Sequence, residues 1–355
     1  MEALDVEPNR IRAAWAGRVS GCQLGKPVEL LSMLKGRQAL ADYLAQAQAT
    51  PLRDYIPLLP DTIVEKTGAA SCRGRIVRSE PDDDINYTFL CLLMLEQHGL
   101  LLTKADVART WLKKLPAGAT FTAEFAAYRT LLQHCAEHFA VGADPGFDLD
   151  LCSENAYNEW IGAQIRTDLY GWVCPGRPRQ AAKLARIDAS LSHRGDGVEG
   201  AAFVAALGAA IPACDDLHQA VEVARGELPV RSGALEAVDF GLSRVGHPNA
   251  IDQLHERYAD LSPVHTLNNL AVVVWALIAS DGDFSRGIGE SVAAGWDTDC
   301  NGATVGGLLG LSLGEIPESW TAPWSGRIGL SLAGYDEVRL DEVVERTVAV
   351  ADSIR

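Results

Sequence analysis

The apolar residues of this chain gather in unbroken runs and do not alternate with polar ones. Tyr87-Thr-Phe-Leu-Cys-Leu-Leu-Met-Leu95 follows three acids and ends at Gly99, which predicts a buried helix with a C-terminal stop. Leu270 to Ser280 predicts a second. Gly200 to Ala210 and Ala303 to Leu313 are rich in small residues, the composition of helices that pack closely. Each glycine lowers helix propensity by about 1 kcal/mol, so those in the second run imply close backbone approach. Asp336 to Arg355 shows a 3.6-residue apolar period with acids early, the pattern of one surface-packed helix. No run of alternating strands, no βαβ rhythm and no GxGxxG is present. Gly/Pro punctuation at Gly25-Lys-Pro27, Cys174 to Pro178, Gly195-Asp-Gly197 and Gly246-His-Pro248 is too short for a linker. The pattern predicts an all-α multi-helix bundle forming one domain over residues 1–355. Residues 105–158 fit no strong pattern and are expected to form an appended helical segment.

Composition narrows the function classes. The formal charge of −16 argues against nucleic-acid binding, which requires a basic surface. A local phosphate pocket built from Arg166, Arg73, Arg75 or Arg78 remains open, as does a solvated surface role for each. No stretch reaches the roughly 20 apolar residues of a membrane span, and the N-terminus has no signal-peptide pattern. The eight cysteines lie singly, without CxxC pairs, as reduced buried thiols would. A cytoplasmic protein is expected, with no membrane and no nucleic-acid partner.

Two acidic clusters carry the chemistry: Pro81-Asp82-Asp83-Asp84-Ile85-Asn86-Tyr87-Thr88 and Gly295-Trp296-Asp297-Thr298-Asp299-Cys300-Asn301-Gly302. Each packs carboxylates and neutral oxygens just ahead of an apolar helix, and such oxygens are the ligands Mg²⁺, Mn²⁺ and Ca²⁺ prefer. Helix capping explains one or two of the acids in each cluster. Three consecutive acids against a core, and a second Asp-x-Asp unit, point to metal.

The ordered motifs resemble the ADP-ribosylglycohydrolase family over most of the chain. Gly17-Arg-Val-Ser-Gly21-Cys-Gln-Leu-Gly25-Lys-Pro27-Val-Glu29 is similar to that family's glycine-rich helix with its trailing glutamate. The Asp82 to Thr88 segment, the Gly162 to Gly171 stretch with Arg166, Ser192-His193 with its small-residue helix, and Asp297-Thr298-Asp299-Cys300-Asn301 follow in the family's order. The resemblance implies an orthogonal all-α bundle and a glycosidase that hydrolyses N- or O-ribosyl bonds with two Mg²⁺ ions, Mn²⁺ being possible. It implies Asp82, Asp83, Asp84, Asp297 and Asp299 as metal ligands, and Glu29 and Asp84 as candidate proton-transfer groups. Gly162 and Arg166 would meet a phosphate. His193, Trp296 and Tyr87 are open between contact with substrate and packing.

Three departures stand out. Cys300 and Ile85 replace threonines, and Cys22 replaces an aspartate. A thiol is a poor Mg²⁺ ligand, so metal stoichiometry is left open. The substrate is expected to be either an ADP-ribosylated protein or a small molecule, with a lean toward a nucleotide- or nucleoside-like N-glycoside. A catalytically inactive relative acting as a binding or structural protein is the alternative.

Overall fold

The computed structural model describes residues 3–354 except 136–138, 140 and 141. α1 (Pro8–Gly25) and α2 (Glu29–Gln46) flank a single 3-10 turn, Lys26–Val28. α3 (Ile63–Thr67), α4 (Asp83–His98), α5 (Lys104–Lys114) and α6 (Thr122–His134) follow. A 3-10 helix, Ile161–Arg166, leads into α7 (Asp168–Trp172), α8 (Pro178–Ala189) and α9 (Gly195–Ala210). Then come α10 (Leu217–Arg225), α11 (Gly233–Arg244), α12 (Ala250–Arg257), α13 (Thr266–Ala279), α14 (Phe284–Ala293), α15 (Thr298–Leu313) and α16 (Glu318–Thr321). The chain ends in a hairpin, β1 (Arg327–Leu332) and β2 (Tyr335–Arg339), and α17 (Leu340–Ser353). The fold is all-α, as the apolar runs predict, and those runs fall within α4, α9, α13 and α15.

α9 is buried along most of its length. Together with the turn after it, Gly195–Ala213 is long and apolar enough to span a membrane by composition, yet 72% of that stretch is buried inside the bundle. Its small residues let α7 approach closely: a Cβ on Gly171 would lie 2.4 Å from the carbonyl oxygen of Ala205.

The tightest contact joins α1 to α15. A Cβ on Gly17, Gly21 or Gly25 would fall 2.1, 1.9 or 2.2 Å from the carbonyl oxygen of Gly306, Gly302 or Thr298 respectively. Each step of four along α1 is answered by a step of four backward along α15, so the helices run antiparallel with glycine faces in register. The C-terminus of α1 therefore meets the N-terminus of α15. There Thr298 Oγ1 donates a 2.9 Å hydrogen bond to the Gly25 carbonyl.

Two expectations need correction. The chain from Asp336 onward is not one helix: Tyr335–Arg339 is a strand and α17 begins at Leu340. β2 pairs antiparallel with β1 around Gly334, whose φ is +88°. Charged residues at Asp336, Glu337 and Arg339, continuous with a true helix, hide the alternation. The 105–158 segment, part of which (136–138, 140 and 141) lies outside the described residues, is more than an appendage. Its α6 supplies Glu124 to the central cavity described below.

The α1–α15 contact generates a test. Gly21→Ala should cost about 3 kcal/mol in urea unfolding because neither backbone can yield. Gly118→Ala, with nothing within 4 Å of the added Cβ, should stay within about 0.5 kcal/mol. Equal losses for both would refute the packing argument.

Candidate functional site

Three helix ends converge. The C-terminal end of α1 and the turn after it bring Cys22, Lys26 and Glu29. The N-terminus of α4 brings Asp82, Asp83 and Asp84, and that of α15 brings Asp297, Asp299 and Cys300. The remote acid clusters thus share one site. They border a cavity of about 830 Å³ whose lining includes Lys26, Glu29, Asp82, Asp83, Asp297 and Asp299. Helix N-termini favour negative charge, which eases the concentration of acids here.

Local structure aims each acid. Asp82 is the N-cap of α4, its Oδ1 accepting from the Asp84 amide at 3.1 Å, while its Oδ2 is ion-paired with Lys26 Nζ. Both Asp82 oxygens are therefore engaged. Asp84 is fully buried: Arg18 donates to its carbonyl at 3.0 and 2.8 Å and approaches its Oδ1 at 3.4 Å, and its Oδ2 has no partner. Arg18 also binds Asp168 at 2.7 Å, tying α1, α4 and α7 together. Asp297 follows two residues with positive φ, Gly295 at +86° and Trp296 at +58°. A bulky residue in that region is strained. Stacking on His255, 3.9 Å between centroids, holds it there. Asn269 Oδ1 accepts from the Asp297 amide at 3.3 Å and from Asn301 Nδ2 at 2.8 Å, while Asp297 Oδ1 is buried and unpartnered.

Three groups of these residues place one ligating atom each within 4.8 Å of one another: Glu29, Asp297 and Asp299; Asp84, Asp299 and Cys300; Cys22, Asp82 and Asp84. Only the first is all-carboxylate. The donor set, with two orphaned buried carboxylate oxygens, fits a hard divalent cation. Asp83 lines the cavity but stands outside all three groups.

Crowding shows in the titration of the acids. Burial first, then Asp297 and Asp82, push the Glu29 carboxyl up to about 8. Burial first, then neighbouring carboxylates, push Asp299, Asp83 and Asp84 well above the ordinary range, Arg18 opposing this at Asp84. Asp82 moves the other way: burial would raise it, but Lys26 holds it low.

The remaining expected residues separate. Gly162 lines the cavity, and a Cβ there would sit 2.3 Å from Glu124 Oε1. Arg166 is not open to a phosphate. Its five donors go to Asp188 Oδ1 at 2.9 Å, Glu124 Oε1 at 2.6 Å, the Gly162 carbonyl at 3.0 Å, Ser192 Oγ at 3.1 Å and the Asp188 carbonyl at 3.4 Å. Tyr87 is buried against Trp111 with Arg166 over its ring, and Trp296 packs on His255, so both belong to the core and not to the cavity wall. His193 is buried, its Nδ1 2.8 Å from Ser192 Oγ, and it borders a different cavity beside Arg194 and Asp196. Burial and Arg166 keep its ring neutral. Asp84 is fully buried and does not line the cavity, which does not suit its proposed role as base.

Lys26 and Glu124 escaped the sequence reading as site residues. Lys26 offered a signal, a cation inside the Gly25-Lys-Pro27 turn before Glu29. Glu124 offered none, because α6 lies where no pattern was visible.

Residues 3–351 match the family model "ADP-ribosylglycohydrolase". No curated protein sequence matches the chain. A solved structure described as "ADP-ribosylglycohydrolase-related protein complex" superposes with a TM-score of 0.56 at 17% identity, covering 98% of this chain and 99% of that one. At that identity it speaks for the fold.

The raised acids set a pH dependence. A carboxyl whose folded value lies above its unfolded one stabilises the fold while protonated, and loses that contribution as pH rises through the folded value. For Glu29 that window runs from its ordinary 4.5 to about 8. With chelator present, the melting temperature should therefore fall between pH 5.5 and 8.5, and Mg²⁺ should narrow the gap. A melting temperature that rose over this range would contradict the crowded-acid geometry.

Proposed function

Because the chain belongs to the ADP-ribosylglycohydrolase family, we propose that it is a Mg²⁺-dependent glycosidase that hydrolyses the N- or O-glycosidic bond of a ribosyl substrate in the acid-lined cavity. The convergence of Glu29, Asp297 and Asp299 at the cavity wall is the observation that carries this reading. Glu29, Asp84, Asp297 and Asp299 would hold the metal. A bound divalent ion would supply chelation of vicinal ribose hydroxyls and polarisation of the sugar.

The chain's own residues do the rest. Asp83 and Asp297 present negative charge to the anomeric carbon, where hydrolysis develops oxocarbenium character. Glu29 is committed to the ion in this reading, so Asp83, which lines the cavity outside the three ligand groups, is the carboxyl left to exchange a proton with the attacking water. Gly162 permits the wall to close on the sugar, because any side chain there would collide with Glu124. Leu30, Met33, Phe121, Trp160 and Val264 form the apolar side. An aromatic leaving group would lie there out of water.

The charge of the cavity favours a substrate class. Among the described residues, its lining holds six acids, Glu29, Asp82, Asp83, Glu124, Asp297 and Asp299, and one cation, Lys26, already paired. Arg166 has no donor free for a pyrophosphate. A small nucleoside-like N-glycoside, neutral or cationic, therefore suits the cavity better than an ADP-ribosyl chain.

The test is a Mg²⁺-supplemented panel of ADP-ribosyl-arginine, ADP-ribosyl-serine, O-acetyl-ADP-ribose, NAD and simple nucleosides, followed for released ribose products. Nucleosides should be turned over fastest. Asp299→Asn should lower kcat by at least about a hundredfold with the helical circular dichroism unchanged. Full turnover by that variant, or in excess chelator, would sink the metal-glycosidase reading. Preference for the ADP-ribosyl compounds would sink only the substrate class.

A further inference from the structure

Lys26 is the cation that the acid cluster already contains. It follows the last residue of α1, on the 3-10 turn that leads to Glu29, and its side chain is 24% exposed against 4% for Asp82, its partner. Its ammonium is held against the Asp82 carboxylate in an ion pair.

The residues around Lys26 form the group least suited to a hard ion. Cys22, Asp82 and Asp84 lie within mutual ligating distance. Cys22 is fully buried, and the one ligating atom it offers is sulfur. Thiolate, not thiol, is the ligating form, and Mg²⁺ prefers oxygen to either. Asp82 gives one oxygen to the Asp84 amide and the other to Lys26. Nothing in this group is left to bind a metal except Asp84. The opposite group differs on each count: Glu29, Asp297 and Asp299 are all carboxylates, and Asp297 Oδ1 is buried without a partner.

We propose that Lys26 occupies, as a built-in ammonium, the half of the site bounded by Cys22 and Asp82, so that the protein binds one divalent ion on its Glu29, Asp297 and Asp299 side and not a pair. This inference rests on the metal-glycosidase reading. An ammonium carries half the charge of Mg²⁺ and offers N–H donors, where a metal offers open coordination positions. A ribose in the cavity would then be chelated from one side and hydrogen-bonded by Lys26 from the other. Lys26 lies four residues after Cys22, one helical turn further along.

The test is Mn²⁺ binding to the full chain by equilibrium dialysis, with electron paramagnetic resonance of the loaded protein. Wild type should bind one ion per chain and show the six-line spectrum of isolated Mn²⁺. The double variant Cys22→Asp/Lys26→Ala restores an oxygen and removes the ammonium. It should bind two ions and show exchange coupling. Two coupled ions in wild type would mean that the ammonium swings aside, which overturns the inference and leaves the metal reading standing. No binding by wild type at millimolar Mn²⁺ would overturn both. A folded double variant that still bound one ion would overturn the role given to Lys26. Should that variant not fold, the wild-type stoichiometry and spectrum decide alone.

Discussion

The contact of backbone with backbone between α1 and α15 sets the position of everything at the site. Helices with ordinary side chains pack with axes 8–10 Å apart. The glycines at 17, 21, 25, 302 and 306 remove the side chains that would impose that spacing, and the register they create is discrete. A shift by one residue would set a Cβ against a carbonyl. That register presents Lys26, just past the end of α1, and Glu29, the first residue of α2, to Asp297 and Asp299 at the start of α15. Arg18, on the same helix, then draws in the first turn of α4 through the Asp84 carbonyl.

Positive charge is rationed in this part of the molecule. Two buried arginines, Arg18 and Arg166, are consumed by structure, each knitting together segments far apart in sequence. Removing one partner from such an arrangement leaves a buried charge uncompensated, at a cost of about 3–5 kcal/mol. Neither arginine can therefore serve an anionic ligand without a partner first being abandoned. The acids facing the cavity keep an unbalanced negative field, partly met by Lys26. The same imbalance that makes the metal-free site costly makes it attractive to a small hard cation.

Much of this was legible in the residues, and the failures have a common cause. Apolar runs and small-residue faces marked the helices. The two acid clusters marked residues that the fold brings together, because three acids before a core helix exceed what a cap requires. Arg166 was misread because an arginine's availability depends on partners remote in sequence, here Glu124 and Asp188, and one partner sat in a patternless segment. Tyr87 and Trp296 neighbour the acids along the chain, but helical geometry turns Tyr87 into the core and the positive-φ turn carries Trp296 away. The hairpin escaped because strands of six and five residues, one dense in charge, give a weak alternation beside a strong helical period. Proximity in sequence located the site, while side-chain direction sorted its members.

The C-terminal hairpin also reaches the first acid cluster. Ser79 donates through its amide to the Arg327 carbonyl at 2.9 Å and accepts from the Gly329 amide at 3.1 Å. Asn86 exchanges hydrogen bonds with Ser331 at 2.8 and 3.0 Å. The segment bearing Asp82 and the first turn of α4 are thus clamped on both flanks by the C-terminal hairpin. Damage to the hairpin would therefore loosen the first acid cluster from a distance while sparing every acid in it.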